Sequence, residues 1–252
     1  MEETSPFSLE GKSVLVTGSS SGIGRAVAQC CGAAGASVVL SGRNQQRLGQ
    51  TLASLDAGAG ASHVVLPCDL CDTQAVRRMA EGCPSLDGIV HCAGIAPSVL
   101  CKQIEESDVD SVMAANFRGP VLLQAELLRH KRVSKGASIV FVSSMAVDLP
   151  TAGNGVYSAS KGALVSYANC LALELAPRLV RVNCILPGMV WTDLIFEGGL
   201  TEEDLCKDEA GYPLKRYGTP LDVAHLALFL LSPASSWMTG AKIKLDGGRG
   251  LL

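Results

Sequence analysis

The feature that most restricts the fold is Ser13-Val-Leu-Val-Thr17, followed by Gly18-Ser-Ser-Ser-Gly22-Ile23-Gly24 and then Arg25-Ala-Val-Ala-Gln-Cys-Cys. The first run is short, apolar and bounded by glycine, which reads as a buried strand. The last reads as a helix. Strand, glycine-rich turn, helix is the arrangement that cradles a phosphate. Glycines let the backbone approach the ligand, and the helix N-terminus offers free N–H groups and positive potential. The spacing is G-x-x-x-G-x-G and not the more familiar G-x-G-x-x-G. A plain strand–helix loop is the other reading of the glycines. Their place near the N-terminus, between strand and helix, favours nucleotide binding.

The rest of the chain repeats the alternation. Strands are expected at Ser37–Ser41, at His63–Leu70 with its exit loop, at Gly88–Gly94, Ser138–Ser144, Val180–Ile185 and Lys242–Asp246. Helical patterns lie between them. Arg47, Leu48, Leu52 and Leu55 mark one that Gly58-Ala-Gly60 should end, and others run over about 105–128, from Tyr157 onward, and over 221–231. No linker, repeat or low-complexity stretch interrupts the series. The expected fold is α/β: one doubly wound, Rossmann-type domain over 1–252, with a parallel sheet of about seven strands.

Composition removes several classes of function. The chain is 48% hydrophobic and 18% charged, which suits a packed α/β domain. With 21 Lys plus Arg against 24 Asp plus Glu, nothing suggests a nucleic-acid backbone as partner. The first residues, Met1-Glu-Glu-Thr-Ser-Pro-Phe, lack the pattern of a signal peptide, and no apolar run is long enough to span a bilayer, so a soluble, cytoplasmic protein is expected. Ten cysteines sit mostly in apolar patterns. Cys68-Asp-Leu-Cys71 has redox or zinc spacing, but no second close pair follows it, so no metal is expected.

Cofactor choice can be read next to the second strand. An NAD site calls for an Asp or Glu about 20 residues past the glycine turn, and from Gly11 to Leu55 there is no acidic residue. Arg43, just after the strand, is placed to pair a 2′-phosphate, which favours NADP(H) over NAD(H); a surface arginine without a ligand is the other reading. Asp69 is suited to an adenine amino group or to capping a helix near Thr73. Ala93 and Gly94 end a strand in small residues, where a flat ligand can lie against the backbone.

Chemistry concentrates further on. Tyr157 and Lys161 are four apart, so on a helix they share a face, about 5–6 Å apart at Cβ. A phenol is a poor base at neutral pH, and a fixed ammonium beside it favours the phenolate. Such a pair can move a proton to or from a substrate oxygen, although a solvated helix face has the same spacing. Ser143 and Ser144 end the preceding strand, on the side where open α/β sheets bind ligands. Asn116 lies inside a helical pattern, where asparagine needs either solvent or a purpose. Pro187-Gly188 turns the chain into a mildly acidic stretch, 189–213, with Phe196, Gly198 and Gly199, which suits a lid over a substrate.

Taken together, Thr17-Gly-x-x-x-Gly-Ile-Gly24, Asp69-Leu70, Ala93-Gly94, Asn116, Ser144, Tyr157-x-x-x-Lys161, Pro187-Gly188 and Leu245-Asp-Gly-Gly248 resemble the short-chain dehydrogenase/reductases over residues 9 to 250. Ser144 stands 13 residues before Tyr157, the usual spacing in that family. The resemblance implies that Tyr157 is the acid/base and that Lys161 lowers its pKa and holds the nicotinamide ribose. It implies that Ser144 bonds the substrate oxygen and that Asn116 steadies a water leading to Lys161. Thr17, Gly18, Ser20, Ser21 and Ile23 would cradle the adenosine phosphates, and Val190 and Thr192 would contact the carboxamide. It further implies a homotetramer, with the helices around 105–130 and 155–175 in one interface and the last strand in another. The general look is that of 3-oxoacyl-carrier-protein reductases and of hydroxysteroid or sugar-alcohol dehydrogenases. A protein that only senses NADP(H) is the alternative, but such relatives lose Tyr or Lys. One departure stands out: the family's Asn-Asn-Ala-Gly is here His91-Cys92-Ala93-Gly94. His91 is expected to be a structural substitute, and Cys92 lies beside the adenosine path.

Overall fold

A computed structural model describes residues 5–55, 60–198 and 201–252, the side chains of 196–198 excepted. Seven strands form one sheet: β1 (Ser13–Thr17), β2 (Ser37–Ser41), β3 (Val64–Val65), β4 (Leu86–His91), β5 (Val133–Val142), β6 (Arg181–Pro187) and β7 (Lys242–Leu245). Their order is β3-β2-β1-β4-β5-β6-β7 and every pairing is parallel. The order reverses between β1 and β4, so the crevice of a doubly wound sheet opens beyond the C-terminal ends of those two strands.

The strands read as unbroken apolar runs because both faces are covered. Alternate residues enter two separate cores. Leu15, Ile89, Ile139 and Phe141 face one, and Val14, Val16, Val90, Val140 and Val142 face the other. Helices α3 (Thr73–Gly82), α5 (Gly119–Arg129) and α6 (Gly155–Leu175) pack on the first face; α1 (Gly22–Ala33), α2 (Gln45–Ala53) and α8 (Pro220–Leu231) pack on the second. Helices α4 (Glu106–Met113) and α7 (Glu202–Ala210) complete the set among the described residues. Thr219-Pro220-Leu-Asp222 shows how sharply a helix start can be written: Thr219 and Asp222 form a capping box and Pro220 fills the first turn.

Several boundaries differ from expectation. The third strand is only two residues long at the sheet edge, so a long apolar pattern is not needed there. Helix α2 stops at Ala53, ahead of the glycines expected to end it, and Gly58 lies outside the described residues. The single helix expected over 105–128 is three pieces. A π-helical turn, Ala114–Arg118, separates α4 from α5 and contains Asn116. The stretch 189–213 is not irregular throughout: it carries a 3-10 turn, Asp193–Gly198, and α7. Gly199, like the Phe196 side chain, lies outside the described residues. No helix among the described residues is long and apolar enough to cross a membrane.

Candidate active site

The glycine turn is built almost wholly from backbone. Gly18 has φ +68, and a Cβ there would come within 2.9 Å of Ala93 Cα. The turn and the end of β4 therefore touch, which only glycine permits. Thr17 strengthens the same seam: its buried hydroxyl accepts the N–H groups of Cys92 at 3.1 Å and Ala93 at 3.3 Å. Ser21 caps α1 with extended backbone, its side chain makes no capping bond, and no acidic residue occupies the first turn. The first-turn N–H groups are thus available to an anion. Ile23 packs against the core below. Ser19, which nothing in the sequence separates from its serine neighbours, is the residue that anchors the turn. Its Oγ accepts from Ser41 N at 3.0 Å and donates to Ser41 O at 3.2 Å.

Ser20, Arg43, Asp69 and Leu70 gather at one end of this crevice. Ser20 Oγ would lie 3.5 Å from a Cβ at Gly42, next to Arg43. Arg43 is exposed, and among the described residues it has no hydrogen bond or ion pair; it lies close enough to Cys71 to act on that thiol, as does Arg118. Asp69 does not cap the following helix. Its Oδ1 accepts from Cys71 N at 2.9 Å, and Asp72 caps α3 by accepting from Gln74 N and Ala75 N. Leu70 is buried against the start of α5, where a Cβ at Gly119 would meet it at 2.7 Å.

Over the other side of the turn, Pro187 ends β6 and Gly188 N donates to Leu245 O at 3.0 Å. Val190 is buried and bridges to Gly218. Thr192 lies over the glycine turn, its methyl 3.2 Å from where a Gly22 Cβ would stand. One residue further, Asp193 pairs with Arg47 on α2 at 3.8 Å, an exposed contact across the mouth of the crevice.

Asn116, Ser144, Tyr157 and Lys161 converge beyond the ends of β4 and β5. The π turn inserts one residue into the helix, and Asn116 is thereby turned fully inward. Its Oδ1 accepts from Ile95 N at 2.8 Å; its Nδ2 donates to Ile95 O at 2.9 Å and to Ser160 Oγ at 3.1 Å. Lys161 is 5% exposed and its Nζ donates to Val142 O at 3.0 Å. A Cβ at Gly94 would stand 3.0 Å from Asn116 Oδ1 and 3.2 Å from Lys161 Nζ, so the small residue there makes room for both. Lys161 Nζ sits 5.9 Å from the Tyr157 ring centre. Ser144 Oγ accepts from Ala146 N at 3.1 Å and lies near enough to the Tyr157 phenol to act on its pKa.

Electrostatics at this centre differ from the expected pattern. Burial raises the Tyr157 pKa, and Ser144 opposes it. Lys161 is not among the groups that lower it; burial brings the Lys161 ammonium itself down to about 8. Cys92 is pushed up to about 12 by burial, which leaves an unreactive thiol. His91 is buried and neutral, lowered to about 4, with its ring stacked on Phe141 at 4.6 Å.

A satellite core holds the 189–213 stretch. Tyr212 and Tyr217 meet edge-on at 5.1 Å, and Trp191 and Leu205 join them. Glu209 accepts from Trp191 Nε1 at 2.9 Å and from Tyr217 N at 2.8 Å. Asp208 accepts from the Tyr217 hydroxyl at 2.8 Å and pairs with Arg249 at 3.2 Å. Two acidic residues of α7 thus serve as acceptors inside this stretch. Aromatic content near 189–217 was the one sequence signal for this cluster.

A parallel sheet with a phosphate-cradling turn at its switch point, beside a Ser–Tyr–Lys–Asn group, defines a dinucleotide-dependent oxidoreductase. Comparison with known proteins agrees. The family model described as enoyl-(acyl carrier protein) reductase matches residues 18–249. The human protein dehydrogenase/reductase SDR family member 2, mitochondrial, is 36% identical over 95% of this chain and 86% of its own length. A 3-oxoacyl-acyl-carrier-protein reductase of Chlamydia pneumoniae is 33% identical over 96% of this chain and 98% of its own. A solved short-chain type dehydrogenase/reductase from Mycobacterium ulcerans superposes with a TM-score of 0.88 at 34% identity, covering 97% of this chain and 91% of that one. The chain belongs to the short-chain dehydrogenase/reductase family and is a nicotinamide-dependent dehydrogenase/reductase.

Proposed function

We propose that the protein is an NADP(H)-dependent oxidoreductase acting between a secondary alcohol and a ketone, with Tyr157 as its acid/base. The observation that carries this reading is the chain of neighbours from Gly94 through Asn116 and Lys161 to Tyr157 and Ser144, against the Ala93 seam of the glycine turn. The residues fit the cofactor. The turn presents backbone and no acidic group where phosphates would lie, and Arg43 is a cation without a partner among the described residues, suited to a 2′-phosphate. Bound NADP(H) supplies the hydride chemistry at its nicotinamide carbon.

The chain supplies orientation and proton handling. Thr17, Gly18, Ser20, Ser21 and Ile23 hold the phosphates. Asp69, Leu70, Ala93 and Gly94 line the adenosine and ribose path, and Pro187, Gly188, Val190 and Thr192 close over the nicotinamide. Ser144 bonds the substrate oxygen and Tyr157 exchanges a proton with it. Lys161 restores that proton, with Asn116 fixing the site around Ile95. The stretch 189–213 acts as the substrate lid of what we read as one domain over 1–252. Its acidic α7, Glu202–Ala210, disfavours direct contact with an acidic carrier protein. The homotetramer of this reading rests on the family resemblance. Ten free cysteines suit the reducing cytoplasm.

A substrate screen that follows NADPH absorbance, covering β-ketoacyl thioesters, steroids, sugars and diketones, tests the reading. Turnover of at least one ketone class is expected. Tight NADPH binding with no turnover across the panel would contradict it and favour a protein that senses the cofactor.

A further inference from the structure

A buried polar pair lies in the apolar layer behind the proton centre. His91, the last residue of β4, is 1% exposed and in register with Thr17 and Phe141. Its Nε2 meets Gln124 Oε1 on α5 at 3.1 Å, and Gln124 is fully buried. The ring stacks on Phe141, whose edge-on partner is Tyr167 of α6. His91 Nδ1 and Gln124 Nε2 are both buried and make no hydrogen bond. A pair retained for stability alone would be fully satisfied, and a half-satisfied one costs more than an apolar contact of the same shape. What a single directional bond provides, and apolar packing does not, is a fixed axial position.

The same helix and the same chain segment are joined a second time, at Asn116 and Ile95. Ile95 lies four residues beyond His91 on the segment that leaves β4, and Gln124 eight residues beyond Asn116 on the helix. The later residue of the segment thus meets the earlier residue of the helix, as it must when the helix runs back along the strand. The pair at His91 and the pair at Ile95 therefore act as two pins on one antiparallel alignment, and a slide of the helix breaks both.

We propose that His91 and Gln124 form a register lock that sets the position of Asn116 under Gly94, and so are positioning residues for the proton centre. The catalytic consequence rests on the proton-handling role given above; the lock itself does not. The amide of Ile95 reports on it directly, because its N–H is held by Asn116.

The test is a double variant, His91→Leu with Gln124→Met, compared with His91→Gln. The apolar pair should melt at or above the parent temperature, since two unpaired buried atoms are gone. It should also show Ile95 amide exchange about tenfold faster and turnover about tenfold lower, with NADPH affinity held within about twofold. His91→Gln keeps a hydrogen bond to Gln124 within reach and should restore Ile95 protection and most of the turnover. If the double variant does not fold, Gln124→Met alone should quicken Ile95 exchange by the same route. Unchanged Ile95 protection, or equal impairment in His91→Gln, would overturn the lock. Faster Ile95 exchange in a protein that turns over no carbonyl substrate would leave the lock standing and break the catalytic role of the centre it positions.

Discussion

The buried Asn116–Lys161 centre and the 189–213 stretch stand around the same crevice but are held in different ways. Asn116 and Lys161 are buried among the main cores, and every polar atom of Asn116 is bonded to the chain end it braces. The lid rests on a separate small cluster of Trp191, Leu205, Tyr212 and Tyr217, fastened by the carboxylates of Asp208 and Glu209. The first arrangement leaves almost no freedom. The second can be rebuilt without touching the core. On the function proposed above, reaction type would rest on the first and substrate choice on the second.

That contrast is testable, first where the expected effect is largest. Lys161→Met should lower kcat/KM by about 10²–10⁴-fold while the protein stays folded. Its effect on stability has the opposite sign. Burial holds Lys161 at about 8 in the fold against 10.5 ordinarily, so the unfolded chain binds the extra proton between those values and parent stability rises with pH across that window. The methionine variant should therefore be the more stable protein at neutral pH, by at most about 3 kcal/mol, with the advantage shrinking as pH climbs from 8 towards 10.5. Thermal melts at several pH values read both signs, and a variant that is less stable at every pH would break the account of a strained, buried ammonium.

Arg43→Ala comes next. It should weaken NADPH by about ten- to hundredfold and leave NADH nearly unchanged, since only the former carries the extra phosphate. Equal losses by titration would remove Arg43 from the 2′-phosphate site. The smallest effect belongs to the lid. Tyr217→Phe removes the hydroxyl bonded to Asp208 at 2.8 Å and should cost roughly 1–2 kcal/mol locally. It should speed amide exchange in α7 and change KM more than kcat. An equal fall in kcat would show that lid and proton centre are not separable.

The sequence made these two regions unequally legible. Strands β1 and β2 fall on their expected residues because fully buried parallel strands are short apolar runs between glycines. The glycine turn was legible for a related reason: a close backbone approach such as Gly18 against Ala93 admits nothing larger. Tyr157, Lys161 and Ser144 were legible as spacing. Asn116 was visible as an anomaly, yet the π turn that points it inward depends on bonds to Ile95 and Ser160, which are 21 and 44 residues away. The cap at Asp72 rather than Asp69 turned on which carboxylate faces the helix start, a matter of a few ångströms. The 189–213 stretch was legible as a stretch, but not the carboxylate–aromatic bonds that hold it, and His91 was legible as a substitution, but not its pairing with Gln124, 33 residues away. The raised Tyr157 pKa belongs here too, since burial is a property of the whole fold.

The central claim is that Tyr157 handles the proton while the rest of the site binds the cofactor. Tyr157→Phe, assayed for ketone reduction and titrated with NADPH in parallel, tests it most directly. The phenyl ring keeps the packing and removes only the hydroxyl, so turnover should fall by at least about 10²-fold with NADPH affinity held within about threefold. Turnover that survives the substitution, or NADPH affinity that collapses with it, would contradict the assignment.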